Sequence, residues 1–254
     1  MSQYVVEIPA LATLIVDVLV SDRDMVLVIS GYPGVGKSVL NYLLAVSITE
    51  ELRKRGMTTK AWNPVKNLLF HREEFKNWVE TAEEYEVGSA DEAVGIFYSR
   101  DYHDETQIVL LKKLDRVRDR HLVMSLLIPN FFHVDKHIRD SRVMYWIHVD
   151  TRRGKGKDGY AHAYIFQKDD NPMSTDPWNL GLNRKLWGQH KIHDSPNYVG
   201  EIVYKDMHPA IYALYKKIKG VKREIAEIKE WSDAQTRKRR WGSTGEKFDK
   251  RVGI

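Results

Sequence analysis

The sequence of 254 residues contains no cysteine. This absence excludes a disulfide framework and any metal site built on thiolates, and it is typical of proteins from a reducing compartment. Long apolar runs are also lacking. The most apolar early stretch, IPALATLIVDVLV, is shorter than a membrane span requires and contains Asp17. Since no secretory signal is visible either, we expect a soluble, cytoplasmic protein without a membrane anchor.

A large excess of one charge is missing as well, because 40 Lys and Arg face 35 Asp and Glu and leave a net charge of +5. The small excess is unevenly distributed. The segment from Tyr215 to Ile254 holds 13 basic and 6 acidic residues, so the rest of the chain is slightly acidic. A basic tail is typical of proteins that bind a polyanion such as DNA, although a solvated helix with a basic end has the same composition.

Short apolar runs of the buried type alternate with helical patterns, which predicts an α/β fold with a mostly parallel sheet flanked by helices. The last two predicted strands are expected to form a hairpin around the basic turn TRRGKGKDG. The predicted helices cover 8–21, 37–55, 72–82 and 104–118. The predicted strands cover 25–30, 58–62, 65–70, the weak EVGSADEA, HLVMSLLIP, 143–150 and 160–167.

Three regions follow from these patterns: a core of alternating strands and helices over 1–168, an irregular connector over 169–207, and a basic C-terminal helix and tail over 208–254. The connector is predicted to be irregular because it is rich in Asn, Asp, Pro and Trp and shows little periodicity. The helix has a heptad-like apolar seam, which we expect to pack on its own domain rather than on a second chain. The seam consists of Ile211, Leu214, Ile218, Val221, Ile225 and Ile228.

The stretch from Gly31 to Ser38, GYPGVGKS, fits the phosphate-binding pattern G-x-x-x-x-G-K-[ST] at every fixed position. Its glycines let backbone N–H groups point inward at phosphates, and the helix that follows adds its positive end. Lys37 is expected to reach the β- and γ-phosphates, and the Ser38 hydroxyl to bind Mg²⁺. The predicted ATP-binding residues are Gly31, Tyr32, Pro33, Gly34, Val35, Gly36, Lys37, Ser38 and Val39.

Hydrolysis also requires carboxylates close to the metal and to the attacking water. Asp91 and Glu92 are adjacent after a weak strand, and we assign Asp91 to the metal and Glu92 to the water, although a solvated acidic face is the alternative. Asn130 ends the next buried strand and is a candidate γ-phosphate sensor or a loop cap. Arg142 is the preferred candidate for an arginine that acts on a neighbouring subunit, with Arg139 and Arg100 as alternatives.

The order of features from Asp91 onward resembles the zonula occludens toxin-like ATPases and the wider HerA/FtsK superfamily of P-loop DNA pumps. In that group an acidic pair, an Arg-His, a sensor residue and an Ile-Arg segment follow one another around the core strands. Here they match Asp91-Glu92, Arg120-His121, Asn130 and the segment from Asp135 through Ile138-Arg139. The resemblance implies a RecA-like core that hydrolyses ATP with Mg²⁺.

Compact size and an additional C-terminal region are similar to ATPases of viruses and plasmids, archaeal ones in particular. That similarity implies DNA packaging or transfer, a homo-oligomeric ring such as a hexamer, and the host cytoplasm if the protein is viral.

Three functions remain open from the residues alone. The first is a DNA motor ATPase, for which RRGKGKDG offers a basic loop. The second is a replication initiator or helicase loader in which ATP acts as an assembly switch. The third is a small-molecule or nucleotide kinase, whose closing lid would have to come from 151–190.

Overall fold

The computed structural model describes residues 5–21, 23–97, 105–150, 160–171 and 173–252. Within these residues the strands are β1 (Met25–Ser30), β2 (Leu68–Leu69), β3 (Val87–Ala90), β4 (Val123–Ile128), β5 (Val143–Asp150), β6 (Tyr160–Gln167) and β7 (Tyr198–Lys205). The helices are α1 (Ile8–Val20), α2 (Lys37–Lys54), α3 (Pro64–Asn67), α4 (Arg72–Thr81), α5 (Val94–Phe97), α6 (Glu105–Arg116), α7 (Leu180–Gly188) and α8 (Pro209–Val252).

All seven strands form one sheet in the order β2-β3-β4-β1-β5-β6-β7. The first five strands in this order run parallel, whereas β6 and β7 continue the sheet with antiparallel pairing. The predicted parallel α/β sheet and the hairpin of β5 with β6 are therefore confirmed. In this RecA-like arrangement β4 lies between β1 and β3, so polar residues after these three strands share one edge of the sheet.

Helices cover both faces of the sheet, and each face has its own apolar core. The side chains of β1 point alternately into one core and the other. Met25, Leu27 and Ile29 pack in the core that contains α1 and α2. Val26 and Val28 pack on the opposite side, in the core that contains α4, α5 and α6. Every residue of β1 is buried, as its continuous apolar run predicts.

The region after α2 differs from the prediction. No strand forms over 58–62, and the predicted strand over 65–70 is divided into the one-turn helix α3 and the two-residue strand β2. The reason lies in Asn63-Pro64. The Asn63 side chain accepts a hydrogen bond from the Val65 N–H, and Pro64 occupies the first turn, so the pair begins a helix.

The prediction of an irregular segment over 169–207 is wrong, because this segment contains α7 and β7. Strand β7 pairs with β6 along its length and forms the edge of the sheet. Its sequence, YVGEIVYK, is rich in aromatic and β-branched residues and is a strand signal that the composition of the surrounding residues obscured. Trp178, fully buried in the core beside α7, anchors the remainder of the segment.

Helix α8 is present as predicted, but it packs with a different face. The expectation that its apolar seam packs on its own domain is wrong, since the side chains at five of the six seam positions are exposed. The docked face instead carries Tyr215 and Ala226, which are buried, together with Lys219 and Lys222. The exposed seam positions are Ile211, Leu214, Val221, Ile225 and Ile228.

Candidate nucleotide-binding site

The glycine loop follows β1 directly and leads into the first turn of α2. Gly31, Gly34 and Gly36 adopt φ values of 143°, 84° and 102°, a region that side chains with a Cβ rarely occupy. A Cβ on Gly31 would also lie 2.7 Å from the Val149 carbonyl oxygen. The backbone therefore requires glycine at these positions, and this conformation at a helix N-terminus suits an anion.

Lys37, the first residue of α2, turns its side chain back over the loop. Its Nζ donates hydrogen bonds to the carbonyl oxygens of Gly31, at 2.6 Å, and Tyr32, at 2.9 Å. Burial lowers the pKa of Lys37, and the nearby charge of Asp91 opposes that decrease. The ammonium is thus held by loop carbonyls, next to the backbone that would cradle phosphates.

Asp91 and Ser38 meet at the carboxyl edge of the sheet. Asp91 follows β3 and is 4% exposed, and the Ser38 Oγ donates to its Oδ2 at 3.3 Å. A hydroxyl and a carboxylate oxygen this close are suitable ligands for Mg²⁺, which usually takes one or two protein oxygens beside phosphate and water. The residues therefore fit the metal that the motif implies.

Glu92 is adjacent in sequence but has a different environment. Its backbone is left-handed, with φ of 64°, a conformation that costs a glutamate about 1 kcal/mol or more and is common at functional sites. The side chain is 54% exposed and forms an ion pair with Arg223 of α8. The two consecutive acids thus have different partners: Asp91 contacts Ser38 of α2 and Lys219 of α8, whereas Glu92 pairs with Arg223 of α8.

A buried polar cluster behind Asp91 connects α2 with β3 and β4. Ser125 donates to the Asn41 Oδ1 at 2.6 Å, and Ser89 donates to the same oxygen at 3.3 Å. The sequence analysis did not identify these residues. The available signal was the presence of serine within two otherwise apolar strands, since buried hydroxyls need hydrogen-bond partners. The cluster fixes α2, the helix that follows the glycine loop, relative to β3, the strand that precedes Asp91.

Asn130 follows β4 and lies at the same edge. Its Oδ1 accepts a hydrogen bond from the Phe132 N–H at 2.9 Å and caps a 3₁₀ turn at Phe131–His133. The alternative of a loop cap is therefore observed. The role of Asn130 as a γ-phosphate sensor stays a prediction.

Arg142 precedes β5, at the amino edge of the sheet. Its side chain is buried and forms an ion pair with Asp24, so this placement does not favour the predicted action on a neighbouring subunit. Arg139 is partly buried and pairs with Asp140 at 2.8 Å. Arg100 and the basic turn over 151–159 lie outside the described residues.

Helix α8 and strand β7 contribute residues that the sequence analysis missed. The Lys219 Nζ lies 2.5 Å from the Asp91 Oδ2 and donates to the Ser38 Oγ at 2.9 Å. The Tyr204 hydroxyl donates to the Gly36 carbonyl oxygen at 3.3 Å. The local sequence carries no motif for these contacts, because they depend on how distant elements pack.

No helix in the described ranges is long and apolar enough to cross a membrane. No protein-family model and no curated protein matches the chain.

Solved structures with a similar fold include the N-terminal domain of zonular occludens toxin from Neisseria meningitidis. The TM-score is 0.46 and the sequence identity is 12%, and the match covers 75% of this chain and 98% of that domain. The genome packaging NTPase B204 from Sulfolobus turreted icosahedral virus 2, in complex with ATP-gammaS, gives a TM-score of 0.38 and 14% identity, covering 57% of this chain and 92% of that one. Membership of the HerA/FtsK superfamily stays a prediction, and the site assignments rest on the geometry described above.

Proposed function

We propose that the protein binds ATP with Mg²⁺ at Gly31–Ser38 and hydrolyses it. The observation that carries this proposal is the contact between the Ser38 hydroxyl and the Asp91 carboxylate at 3.3 Å. It joins the end of a phosphate loop to an acid that follows a strand two positions away in the sheet. Simple nucleotide binding needs the loop, whereas hydrolysis needs this second element as well.

Each residue of the nucleotide site has its own proposed role. The loop N–H groups and the Lys37 ammonium would bind the phosphates, and Ser38 and Asp91 would hold the metal. Bound Mg²⁺ would neutralise charge on the β- and γ-phosphate oxygens. Glu92 would orient the attacking water and accept its proton, and Asn130 would contact the γ-phosphate. Tyr32, which is exposed at the rim of the loop, is available to a bound nucleotide.

We further propose that hydrolysis serves movement of DNA and that the working form is a homo-oligomeric ring. Two observations support this part: the motif order around Asp91 and the basic C-terminal segment. Lys216 and Lys217 are exposed on α8, and the cluster Arg237–Arg240 follows with side chains outside those described. The arginine that would act between subunits is unassigned, given the buried ion pair of Arg142.

Part of the lid that the kinase alternative requires belongs to the sheet. A lid over 151–190 would have to close over the nucleotide, but 160–167 is strand β6, paired on both sides within the sheet. A strand in that position cannot open and close as a lid does.

The test is ATP hydrolysis measured without DNA, with single-stranded DNA and with double-stranded DNA, on protein of known oligomeric state. We expect hydrolysis that requires Mg²⁺, is abolished by Lys37→Ala and is stimulated by DNA. If DNA does not change the rate of hydrolysis, the protein is an ATPase and the DNA-motor hypothesis is wrong. Nucleotide-dependent DNA binding without movement along DNA would favour the loader alternative.

A further inference from the structure

Helix α8 lies against an acidic surface that includes the two candidate catalytic acids. Lys219 pairs with Asp91, Lys222 with Glu74 at 2.5 Å, and Arg223 with Glu92. About two turns further along the helix, Lys229 approaches Glu73 at 3.7 Å. A basic helix face thus meets an acidic face of the body, and the meeting point is the nucleotide site.

Lys219 occupies the position where the metal ion would bind. Its ammonium is 2.5 Å from the Asp91 Oδ2 and 2.9 Å from the Ser38 Oγ, the two oxygens assigned to Mg²⁺. Mg²⁺ requires about 2.0–2.1 Å to each oxygen ligand and near-octahedral geometry. An ion bound to both oxygens would overlap with the ammonium, so the lysine and the metal exclude each other.

Arg223 acts on the second acid. Its guanidinium forms an ion pair with the Glu92 carboxylate, the group proposed to accept a proton from water. While this ion pair persists, the carboxylate is engaged by the helix rather than by the attacking water. The same helix therefore engages both the metal ligand and the proposed base.

The remaining contacts suggest that α8 can leave this position. Apart from Tyr215 and Ala226, the described residues of α8 that face the body are largely polar. The ion pairs of Lys222 and Arg223 are partly exposed and add little stability individually. In the more buried pair of Lys219 with Asp91, desolvation offsets much of the attraction, so the docked helix is held by a modest free energy.

We propose that α8 is an intramolecular inhibitor of the nucleotide site, with the Lys219 ammonium in place of Mg²⁺ and Arg223 bound to Glu92. This inference rests on the proposed function, since it concerns the regulation of the same site. Binding of Mg·ATP requires Lys219 to withdraw from Ser38 and Asp91. The position of α8, and of the basic tail that continues from it, then depends on the nucleotide.

The first test compares ATP affinity in Mg²⁺ and in EDTA for the unmodified protein, Lys219→Met and Lys216→Met. Lys216 is exposed on the same helix and serves as the matched control. A helix that is docked about nine-tenths of the time reduces apparent affinity about tenfold. We therefore expect Lys219→Met to bind ATP about tenfold more tightly in Mg²⁺, whereas Lys216→Met leaves the affinity unchanged. In EDTA the two variants should behave alike.

A second measurement does not depend on affinity or turnover. Because the chain has no cysteine, Asn77→Cys on α4 and Glu224→Cys on α8 allow specific spin labelling at two exposed positions. The distance between the labels should be narrowly distributed without ligand and should lengthen or broaden when Mg²⁺ and a non-hydrolysable ATP analogue are added. In the labelled Lys219→Met protein, a broadened distribution is expected without any ligand.

The outcomes separate this proposal from the proposed function. Equal Mg·ATP affinity in the unmodified protein and Lys219→Met, or weaker binding in the variant, overturns the inhibitory role and leaves the ATPase intact. If neither protein binds ATP in Mg²⁺ or EDTA, the proposed function is wrong. The inhibitory role of α8 is then wrong as well, because it requires a nucleotide site. Arg223→Gln is the second variant, and a smaller gain in affinity in the same direction supports the proposal even if Lys219→Met does not fold.

Discussion

Asp91 and Glu92 illustrate how two consecutive carboxylates acquire different environments. The first is buried against Ser38 after a regular strand, and the second has left-handed backbone geometry that directs it outward to Arg223. The separation agrees with the proposed division of labour, in which one acid binds the metal and the other contacts water. Neither role follows from the residue type alone.

Glu92→Gln should retain ATP binding and lose hydrolysis by about 10²-fold or more, because an amide orients water poorly and cannot accept its proton. Phosphate release and equilibrium ATP binding, measured on the same preparation, check both parts. Glu50→Gln, on the exposed surface of α2, is the control and should change neither. Normal turnover in Glu92→Gln would refute the role assigned to Glu92.

Gly88 shows why β3 has such a weak strand pattern. A Cβ at this position would lie 2.5 Å from the Trp78 ring, so the close packing of α4 requires glycine here. The strand has a weak apolar pattern because glycine replaces a larger side chain. Gly88→Ala should destabilise the protein by about 1–3 kcal/mol through overpacking, as measured by urea denaturation.

Gly220, which has no atom outside its own helix within 4 Å of an added Cβ, is the matched control for Gly88. Gly220→Ala should be neutral or stabilising by up to about 1 kcal/mol, since alanine suits a helix interior better. A Gly88→Ala protein as stable as the unmodified one would contradict the close packing of α4 on β3.

Among the elements, those with strong local patterns were predicted well from the sequence. Strand β1 and strand β5 coincide with their predicted runs, and α2 ends within one residue of the expected position. The phosphate loop was also identified from sequence, since its glycines and lysine have fixed spacing. Local patterns are sufficient where the chain's own periodicity determines the structure.

Other elements depend on distant partners and could not be predicted in the same way. Strand β7 is stabilised by pairing with β6, and the docked face of α8 is selected by the acids beneath it rather than by its apolar seam. Lys219 and Arg223 belong to the site only through this docking. The contacts between Asn41 and the serines of β3 and β4 likewise join residues that are far apart in sequence.

The orientation of α8 can be tested with two adjacent residues, one on each face. Ala226 is buried against the body and Ile225 is exposed, so Ala226→Lys should weaken docking whereas Ile225→Lys should change the unfolding free energy by no more than about 0.5 kcal/mol. Hydrogen exchange of α8 and urea denaturation provide the measurement. The reverse order of effects would show that the seam, and not the basic face, contacts the body.

At the scale of the whole molecule, part of the basic excess of the C-terminal region is used internally. Lys219, Lys222 and Arg223 form ion pairs with acids of the body, so they are not free to bind a polyanion while α8 is docked. Most of the other Lys and Arg residues of this region lie after residue 232. The proposed interaction with DNA is therefore expected to depend mainly on the distal tail.

Removal of residues 233–254 should weaken DNA binding and reduce its dependence on salt, because fewer phosphate contacts release fewer counterions. Fluorescence anisotropy with a labelled duplex over a series of KCl concentrations measures both quantities. Lys216→Met, which removes a single exposed charge, should have a much smaller effect. Unchanged affinity and salt slope in the truncated protein would assign the tail another role.

The central claim is that the glycine loop and Asp91 act on one magnesium ion. The most direct measurement is the rate of phosphate release from ATP, with and without Mg²⁺, by the unmodified protein and by Asp91→Asn. We predict hydrolysis that requires Mg²⁺ and decreases by about 10²-fold or more in the variant, since the metal loses its carboxylate ligand and the transition-state charge is less stabilised. Equal Mg²⁺-dependent rates in the two proteins would contradict the claim.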